Sequence, residues 1–303
     1  MLMIKERREA MTSFRPTEYV RPQRIEEAVE SLSSFGEAAR AIAGGTDLMV
    51  QKPPFVKCLV DLTNLNLGYI DKEGNGIKIG ALTRISELEA SPVLQEGPYA
   101  AIAAAARSIG SPGIRNMATL GGNLCNGAPS ADMPPSLMGF DAEARIFGPE
   151  GARTIALGDF FIDAGKTVLK YDEILMEVFI AAPPAHTGTD FQKVGRTAVD
   201  LALANVGVRL TCDGEGRCEK ALIVLGAVAP TPMRAVKAEE LLKGERITEA
   251  LIEKAAITSS AEAAPIDDVR ASAEYRRELI VHLTKNALRN AHEMALGKGG
   301  DKL

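Results

Sequence analysis

The stretch Ile114 to Asp132, IRNMATLGGNLCNGAPSAD, holds Gly121-Gly122 between Thr119-Leu120 and Asn123, then Asn126-Gly127, then a single acid at Asp132. It is too rich in glycine and too sparing of charge for an ordinary surface loop. Adjacent glycines let the backbone approach a ligand and adopt φ values that other residues avoid. Successive amide N–H groups in such a turn form an anion-binding concavity, and Thr and Asn side chains add neutral hydrogen bonds. Two readings stand side by side. One is a phosphate cradle made of backbone, with one carboxylate placed to accept from ligand hydroxyls. The other is a Gly-rich turn between strands.

A second stretch of the same kind shifts the balance. In Ala41 to Leu48, AIAGGTDL, the apolar run Ala39 to Ala43 meets Gly44-Gly45, then Thr46, Asp47 and a helix-like start. Two Gly-Gly turns, each beside an apolar segment and a Thr or Asn, suit the two phosphates of a dinucleotide. Neither has the spacing G-x-G-x-x-G of a Rossmann fingerprint, and neither is followed by Lys-Ser/Thr as in a Walker A loop.

Together, AGGTDL and IRNMATLGGNLCNGAPSADMPP resemble the FAD-binding (medium) subunit of the molybdenum hydroxylases, the family of carbon monoxide dehydrogenase and xanthine dehydrogenase. The resemblance runs from Phe14 to about Asn290 and includes the late AEYRRELI, Ala273 to Ile280. It implies an α+β protein: a two-subdomain FAD-binding fold of the vanillyl-alcohol oxidase (PCMH) type, then a C-terminal α+β domain with an antiparallel sheet and helices. The expected division is an N-terminal tail over 1–13, FAD-binding subdomains over 14–64 and 65–182, and the C-terminal domain over 183–303.

The local patterns agree with that outline. Arg24 to Phe35 puts Ile25, Ala28, Val29 and Leu32 at helical spacing, with Gly36 as a stop. Lys57 to Leu62 and Gly76 to Leu82 read as strands, Arg84 to Glu89 as a short helix, and Tyr99 to Ile109 as a nearly apolar, buried helix. Glu143 to Phe147 and Arg153 to Leu157 flank GPEG as a hairpin, and Glu173 to Ile180 is a further strand. Pro183-Pro184 marks a boundary. Asp190 to Val194, Leu203 to Cys212 and Cys218 to Val228 are strands, followed by helices over Met233 to Leu242, Thr248 to Ala263 and Ala273 to Ala295. Strands followed by helices argue for α+β units.

Other function classes find little support. The net charge of −5 gives no footprint for nucleic acid. No apolar run approaches the ~18 residues a membrane helix needs, and the first residues lack the long apolar core of a secretory signal, so cytoplasm is the expected compartment. Cys58, Cys125, Cys212 and Cys218 form no C-x-x-C pair, which gives poor support to a zinc or iron–sulfur site within the chain. Cys212 and Cys218 flank the turn DGEGR and are expected as reduced thiols at strand ends.

The resemblance implies a set of FAD contacts. Two turns hold the diphosphate: Arg40, Ala41, Ile42, Ala43, Gly44, Gly45, Thr46 and Asp47 in one, Thr119, Leu120, Gly121, Gly122 and Asn123 in the other. Asp132 matches an acid near the flavin's hydroxyl region, with a helix cap or turn acid as its bland alternative. Ile109 and Leu201 stand where some relatives place aromatic residues against the isoalloxazine, so an aliphatic contact is expected. Lys220 is the candidate cation for the pyrimidine end of the ring. Arg115 is either a phosphate contact or, the favoured reading, a surface charge.

The implied function is electron transfer. A molybdenum-cofactor large subunit oxidises the substrate. Electrons pass through a [2Fe–2S] small subunit to this FAD and leave to NAD+, a quinone or another acceptor, in a complex expected to be a dimer of heterotrimers. The alternatives are a stand-alone FAD-dependent oxidoreductase of the same fold and a scaffold that has lost the flavin.

Overall fold

Short apolar strands organise the chain into three main sheets, each with its own core. In the computed structural model, which describes residues 14–297, the tail expected over 1–13 lies outside the described residues. The first unit contains β1 (Glu18–Val20), β2 (Ala39–Ile42) and β3 (Cys58–Asp61), a parallel sheet in the order β1-β3-β2. Every residue of β3 is buried, as expected for the middle strand of a parallel sheet covered on both faces. Helix Ile25–Phe35 packs Ala28, Val29 and Leu32 onto Ala39, Cys58 and Val60. Gly36, at φ 55°, ends that helix by donating its amide to the Leu32 carbonyl.

The second unit contains β4 (Ile70–Glu73), β5 (Gly76–Gly80), β6 (Glu143–Gly148), β7 (Gly151–Ala156), the ribbon strands β8 (Phe161–Asp163) and β9 (Lys166–Thr167), and β10 (Ile174–Ala181). Five of these form an antiparallel sheet in the order β4-β5-β10-β6-β7. Helix Ala100–Arg107 lies buried in the core of this unit with Ile77, Ile79, Val178 and Ile180.

The third unit contains β11 (Thr187–Val194), β12 (Ala204–Cys212), β13 (Cys218–Gly226) and β14 (Met233–Arg234), antiparallel in that order. Helices Val236–Leu242, Glu249–Glu262 and Ala273–Ala295 contribute to the core of this sheet. The helix expected to begin at Met233 begins at Val236, because Met233 and Arg234 pair with Leu225 and Val224. The Ala235 amide then donates to Ile223 O at 2.8 Å. Cys212 and Cys218 face each other in register as free thiols, and burial pushes Cys218 up to about 12.

The sheet of the third unit is pressed against helix Met133–Met138 of the second. A Cβ on Gly207 would sit 2.4 Å from Pro135 O, and one on Gly226 would sit 2.9 Å from Pro135 Cγ. Thr189 also donates its hydroxyl to Pro98 O at 2.6 Å. These contacts dock the third unit onto the second at backbone distance.

Candidate functional site

The first glycine turn leaves the C-terminal end of β2. Gly45 takes φ 69°, and its carbonyl accepts from Met49 N at 3.0 Å, which starts helix Leu48–Gln51. Among the described residues, the backbone N–H groups of Gly44, Gly45, Thr46 and Asp47 make no hydrogen bond within the protein. All four residues line one open cleft. A run of unsatisfied amides at a positive-φ turn is an anion-binding arrangement. Gly44 is needed for a different reason: a Cβ there would lie 1.8 Å from Met117 O. The first turn is therefore seated on the backbone that leads into the second.

The second glycine turn is a capped helix rather than an open turn. Helix Leu120–Cys125 has Thr119 as its N-cap, with Thr119 Oγ1 accepting from Gly122 N at 3.1 Å. Leu120 N donates to Thr83 O at 2.9 Å, Gly121 N to Ala81 O at 2.7 Å and Asn123 N to Thr119 O at 3.0 Å. Of the amides expected to cradle a phosphate, those of Leu120, Gly121, Gly122 and Asn123 are thus committed inside the protein, while that of Thr119 makes no hydrogen bond among the described residues. Leu120 is fully buried, and a Cβ on Gly121 would meet Ala81 Cβ at 2.8 Å and Ala81 O at 2.9 Å. These two residues seat the helix against the chain just beyond β5 and do not line the cleft. Thr119, Gly122 and Asn123 do line it. Asn123 Oδ1 is buried without a hydrogen-bond partner in the protein.

The cleft has a volume of about 1120 Å³ and draws walls from all three units, a little above the ~300–1,000 Å³ usual for ligand sites. The whole segment Arg40 to Asp47 contributes, as do Ile109, Asp132 and Leu201. The Arg40 guanidinium donates to Glu37 O and Ala39 O at 3.0 and 2.7 Å and lies 4.7 Å from the Phe55 ring centroid. Burial pushes its pKa below the usual guanidinium value. Burial also raises the Asp47 carboxyl and pushes the Cys125 thiol up to about 12. Phe55 and Tyr171 are aromatic cleft residues that sequence reasoning did not single out.

Asp132 is buried at the start of helix Met133–Met138 and makes no capping hydrogen bond. Its Oδ2 lies 2.5 Å from Lys193 Nζ and its Oδ1 accepts from Asn205 Nδ2 at 2.7 Å. Lys193 also donates to Ser108 O at 2.8 Å. Burial raises the Asp132 pKa, while the Lys193 ammonium and the Asn205 amide pull it back.

Lys193 and Asn205 went unread in the sequence, although a signal existed. Lys193 shares a strand face with Phe191, two residues away, and an inward lysine requires an inward carboxylate. Lys220, the expected cation, sits elsewhere. It is exposed on β13 and pairs with Asp141 at 2.6 Å, and it does not line the cleft. Lys220 stands near the turn end of β13, where Glu219 beside it is exposed as well. Arg115 pairs with Glu89 at 2.7 Å and donates to Ile109 O and Gly110 O. It is a brace inside the second unit rather than a solvated charge.

The donor set fits a flavin dinucleotide. Four free amides suit phosphate oxygens, the orphan Asn123 Oδ1 suits a hydroxyl donor, and Ile109 and Leu201 offer aliphatic surface for a flat ring.

Comparison with known proteins agrees. Residues 12–183 match the FAD binding domain in molybdopterin dehydrogenase, and residues 189–291 match the CO dehydrogenase flavoprotein C-terminal domain. The carbon monoxide dehydrogenase medium chain of Afipia carboxidovorans is 35% identical over 286 residues, covering 92% of this chain and 97% of that one. The putative xanthine dehydrogenase FAD-binding subunit of Escherichia coli is 32% identical, with 92% and 97% covered. Among solved structures, carbon monoxide dehydrogenase from Hydrogenophaga pseudoflava superimposes with a TM-score of 0.88 at 32% identity, covering 92% of this chain and 98% of that chain. The chain belongs to the FAD-binding subunits of the molybdenum hydroxylases, a family of oxidoreductases, and its cofactor is FAD.

Proposed function

We propose that this chain is the electron-transfer flavin subunit of a cytoplasmic molybdenum hydroxylase. In this reading its FAD takes electrons from a [2Fe–2S] small subunit, fed by a molybdenum-cofactor large subunit, and releases them to NAD+, a quinone or another acceptor. The assembly is a dimer of heterotrimers. The observation that carries the reading is the commitment of the cleft's central ionisable groups to each other. Asp132 is bound by Lys193 and Asn205, which leaves it poorly placed to take a proton from an organic substrate. A stand-alone oxidase needs such a free acid or base at its flavin.

Bound FAD supplies the redox chemistry, and the protein supplies binding, orientation and electrostatics. The free amides of Gly44 to Asp47 hold diphosphate oxygens, with Arg40 adding positive charge to the same wall. Asn123 Oδ1 accepts from a hydroxyl of the cofactor, which satisfies an otherwise orphaned buried acceptor. Ile109 and Leu201 exclude water from the ring. Thr119 holds the helix Leu120–Cys125 in place through its cap.

The test is reconstitution. The FAD-loaded chain, mixed with a reduced [2Fe–2S] partner chain under anaerobic conditions, is expected to lose its oxidised flavin absorbance rapidly. Turnover with an organic substrate is expected only when all three chains are present. Substrate oxidation by this chain alone would overturn the proposal.

A further inference from the structure

Arg276 is the fourth residue of helix Ala273–Ala295, and its side chain is only 2% exposed. Burying a guanidinium is unfavourable unless its donors are met. Here they meet two backbone carbonyls and one acid. Nη1 donates to Leu203 O at 2.7 Å and to Ala227 O at 3.2 Å, and Nη2 donates to Asp268 Oδ1 at 2.8 Å. Asp268 is fixed in turn by its own loop, accepting from the Arg270 amide at 2.8 Å and the Ala271 amide at 3.2 Å.

Both carbonyls belong to segments that run into the cleft. Leu203 closes the loop that carries Leu201. Its amide donates to Val194 O at 2.8 Å, and Arg276 occupies the other polar group of the same residue. Ala227 stands just past β13 at φ 64°, a conformation that an L-residue holds where its surroundings fix it. Its amide donates to Pro129 O at 2.7 Å. Pro129 lies within the stretch whose Ala128, Ser130, Ala131 and Asp132 line the cleft. One buried side chain therefore ties the Leu201 loop of the third unit and, through Ala227, a wall of the second unit to a single point. Arg276 itself does not line the cleft.

We propose that Arg276 is a positioning residue of the flavin site. From behind the cleft it sets the separation between the Leu201 loop and the wall at 128–132, and so the fit of the bound ring between them. The inference rests on FAD occupying this cleft. The planar fork of a guanidinium serves three acceptors in fixed directions from one side chain, which the compact ammonium of a lysine does not reproduce. The neighbouring Arg277 gives the contrast. It donates to Ser260 O at 3.1 Å and Ala263 O at 2.9 Å, so it braces helix Glu249–Glu262 against helix Ala273–Ala295 instead.

The experiment compares Arg276→Lys with Arg277→Lys in the full chain. It reads FAD affinity by fluorescence titration, the visible circular dichroism of the bound flavin at saturating FAD, and urea unfolding of the apoprotein. Arg276→Lys is expected to weaken FAD by about 2- to 30-fold, the range for residues that act on a site without touching its ligand, and to change the flavin's dichroism. Arg277→Lys should do neither. A side chain that serves the fold alone would lower the unfolding midpoint and leave the dichroism of the saturated chain as in the wild type. That result in Arg276→Lys would overturn the inference. In the Leu201→Ala background the loss caused by Arg276→Lys should shrink, since both act through one loop; a loss of full size there would overturn it as well. Should Arg276→Lys fail to fold, Asp268→Asn decides, because it keeps the guanidinium and removes the charge that holds Nη2. A changed flavin dichroism in that variant supports the inference and an unchanged one overturns it. A wild-type chain that binds no FAD would overturn the reading of the cleft along with it.

Discussion

Substituting Gly44 by alanine separates the ligand-binding part of the site from its scaffold. A Cβ on Gly44 lies 1.8 Å from Met117 O, and real Cβ contacts do not fall below 3.0 Å, so one backbone must retreat by about 1.2 Å. Both neighbours are backbone, so no side-chain rotation relieves the clash. Overpacking of this kind costs about 1–3 kcal/mol of stability. The loss of cofactor is expected to be larger. A shift of about 1 Å takes amide–oxygen pairs out of the 2.7–3.2 Å range of N–H···O bonds. Hydrogen bonds to a charged group contribute about 1.5–3 kcal/mol each. Losing two of them weakens FAD by about 3–6 kcal/mol, or roughly 10²- to 10⁴-fold at 1.4 kcal/mol per decade. The assay pairs acid-released flavin per chain and FAD fluorescence titration with urea unfolding of the apoprotein. Gly214→Ala, where an added Cβ meets nothing within 4 Å, serves as the control. Wild-type FAD affinity in Gly44→Ala, with unaltered unfolding, would refute the packing of one turn on the other.

Gly121→Ala should behave in the opposite way, lowering the unfolding free energy by about 1–3 kcal/mol with less effect on FAD affinity per folded molecule, because its Cβ would strike Ala81 rather than the cleft; an unchanged urea midpoint would contradict this. Asp268 governs part of the acid stability. Its pKa is held well below the usual carboxylate range, first by the Arg270 side chain and then by the Arg270 amide, with Arg276 adding to the effect. A carboxyl depressed on folding contributes stability above its unfolded value of about 3.9, and that contribution is lost as pH falls through the folded value. Asp268→Asn should therefore flatten the decline of the urea midpoint below about pH 5, and parallel curves for variant and wild type would sink the argument.

The legible parts of the fold were those fixed by local periodicity. Helix Ala273–Ala295 falls at its expected limits, because Leu279, Ile280, Leu283, Ala287 and Leu288 repeat at helical spacing and Ser272 caps the first turn through Tyr275 N. The strands of the β12–β13 hairpin are nearly as plain, with Ala204 to Leu210 and Ala221 to Leu225 mostly apolar on either side of DGEG. The Gly-rich stretch was legible as a site and illegible as structure. Two adjacent glycines argue against a helix on propensity, yet the Thr119 cap and the contact with Ala81 impose one. The strands β1, β4, β8 and β9 left no pattern, being two to four residues long and mostly exposed or half-buried. The ion pair Asp132–Lys193 joins residues 61 apart. No local rule couples them, and a lone lysine on β13 was the easier choice.

That long-range pair also argues against treating the cofactor cleft as the property of the first two units. A fragment ending at residue 182 keeps both glycine turns, Ile109 and Asp132. It loses Lys193, Asn205 and Leu201, and with them two partners of a carboxylate that the intact chain buries. It also uncovers the face of helix Met133–Met138 on which Gly207 and Gly226 rest. Phe191 and Val224 of the third unit are members of the second unit's core, so the fragment exposes apolar surface that no residue of its own can cover. Burial contributes about 25 cal/mol per Å² of apolar area, and exposing such a contiguous patch invites association. The fragment is therefore expected to aggregate or to fold without holding FAD, as read by light scattering and by flavin retained after desalting. A monomeric 1–182 fragment that binds FAD as tightly as the full chain would show that the third unit contributes nothing to the site. Lys193 would then be an ornament of the cleft wall rather than part of its chemistry.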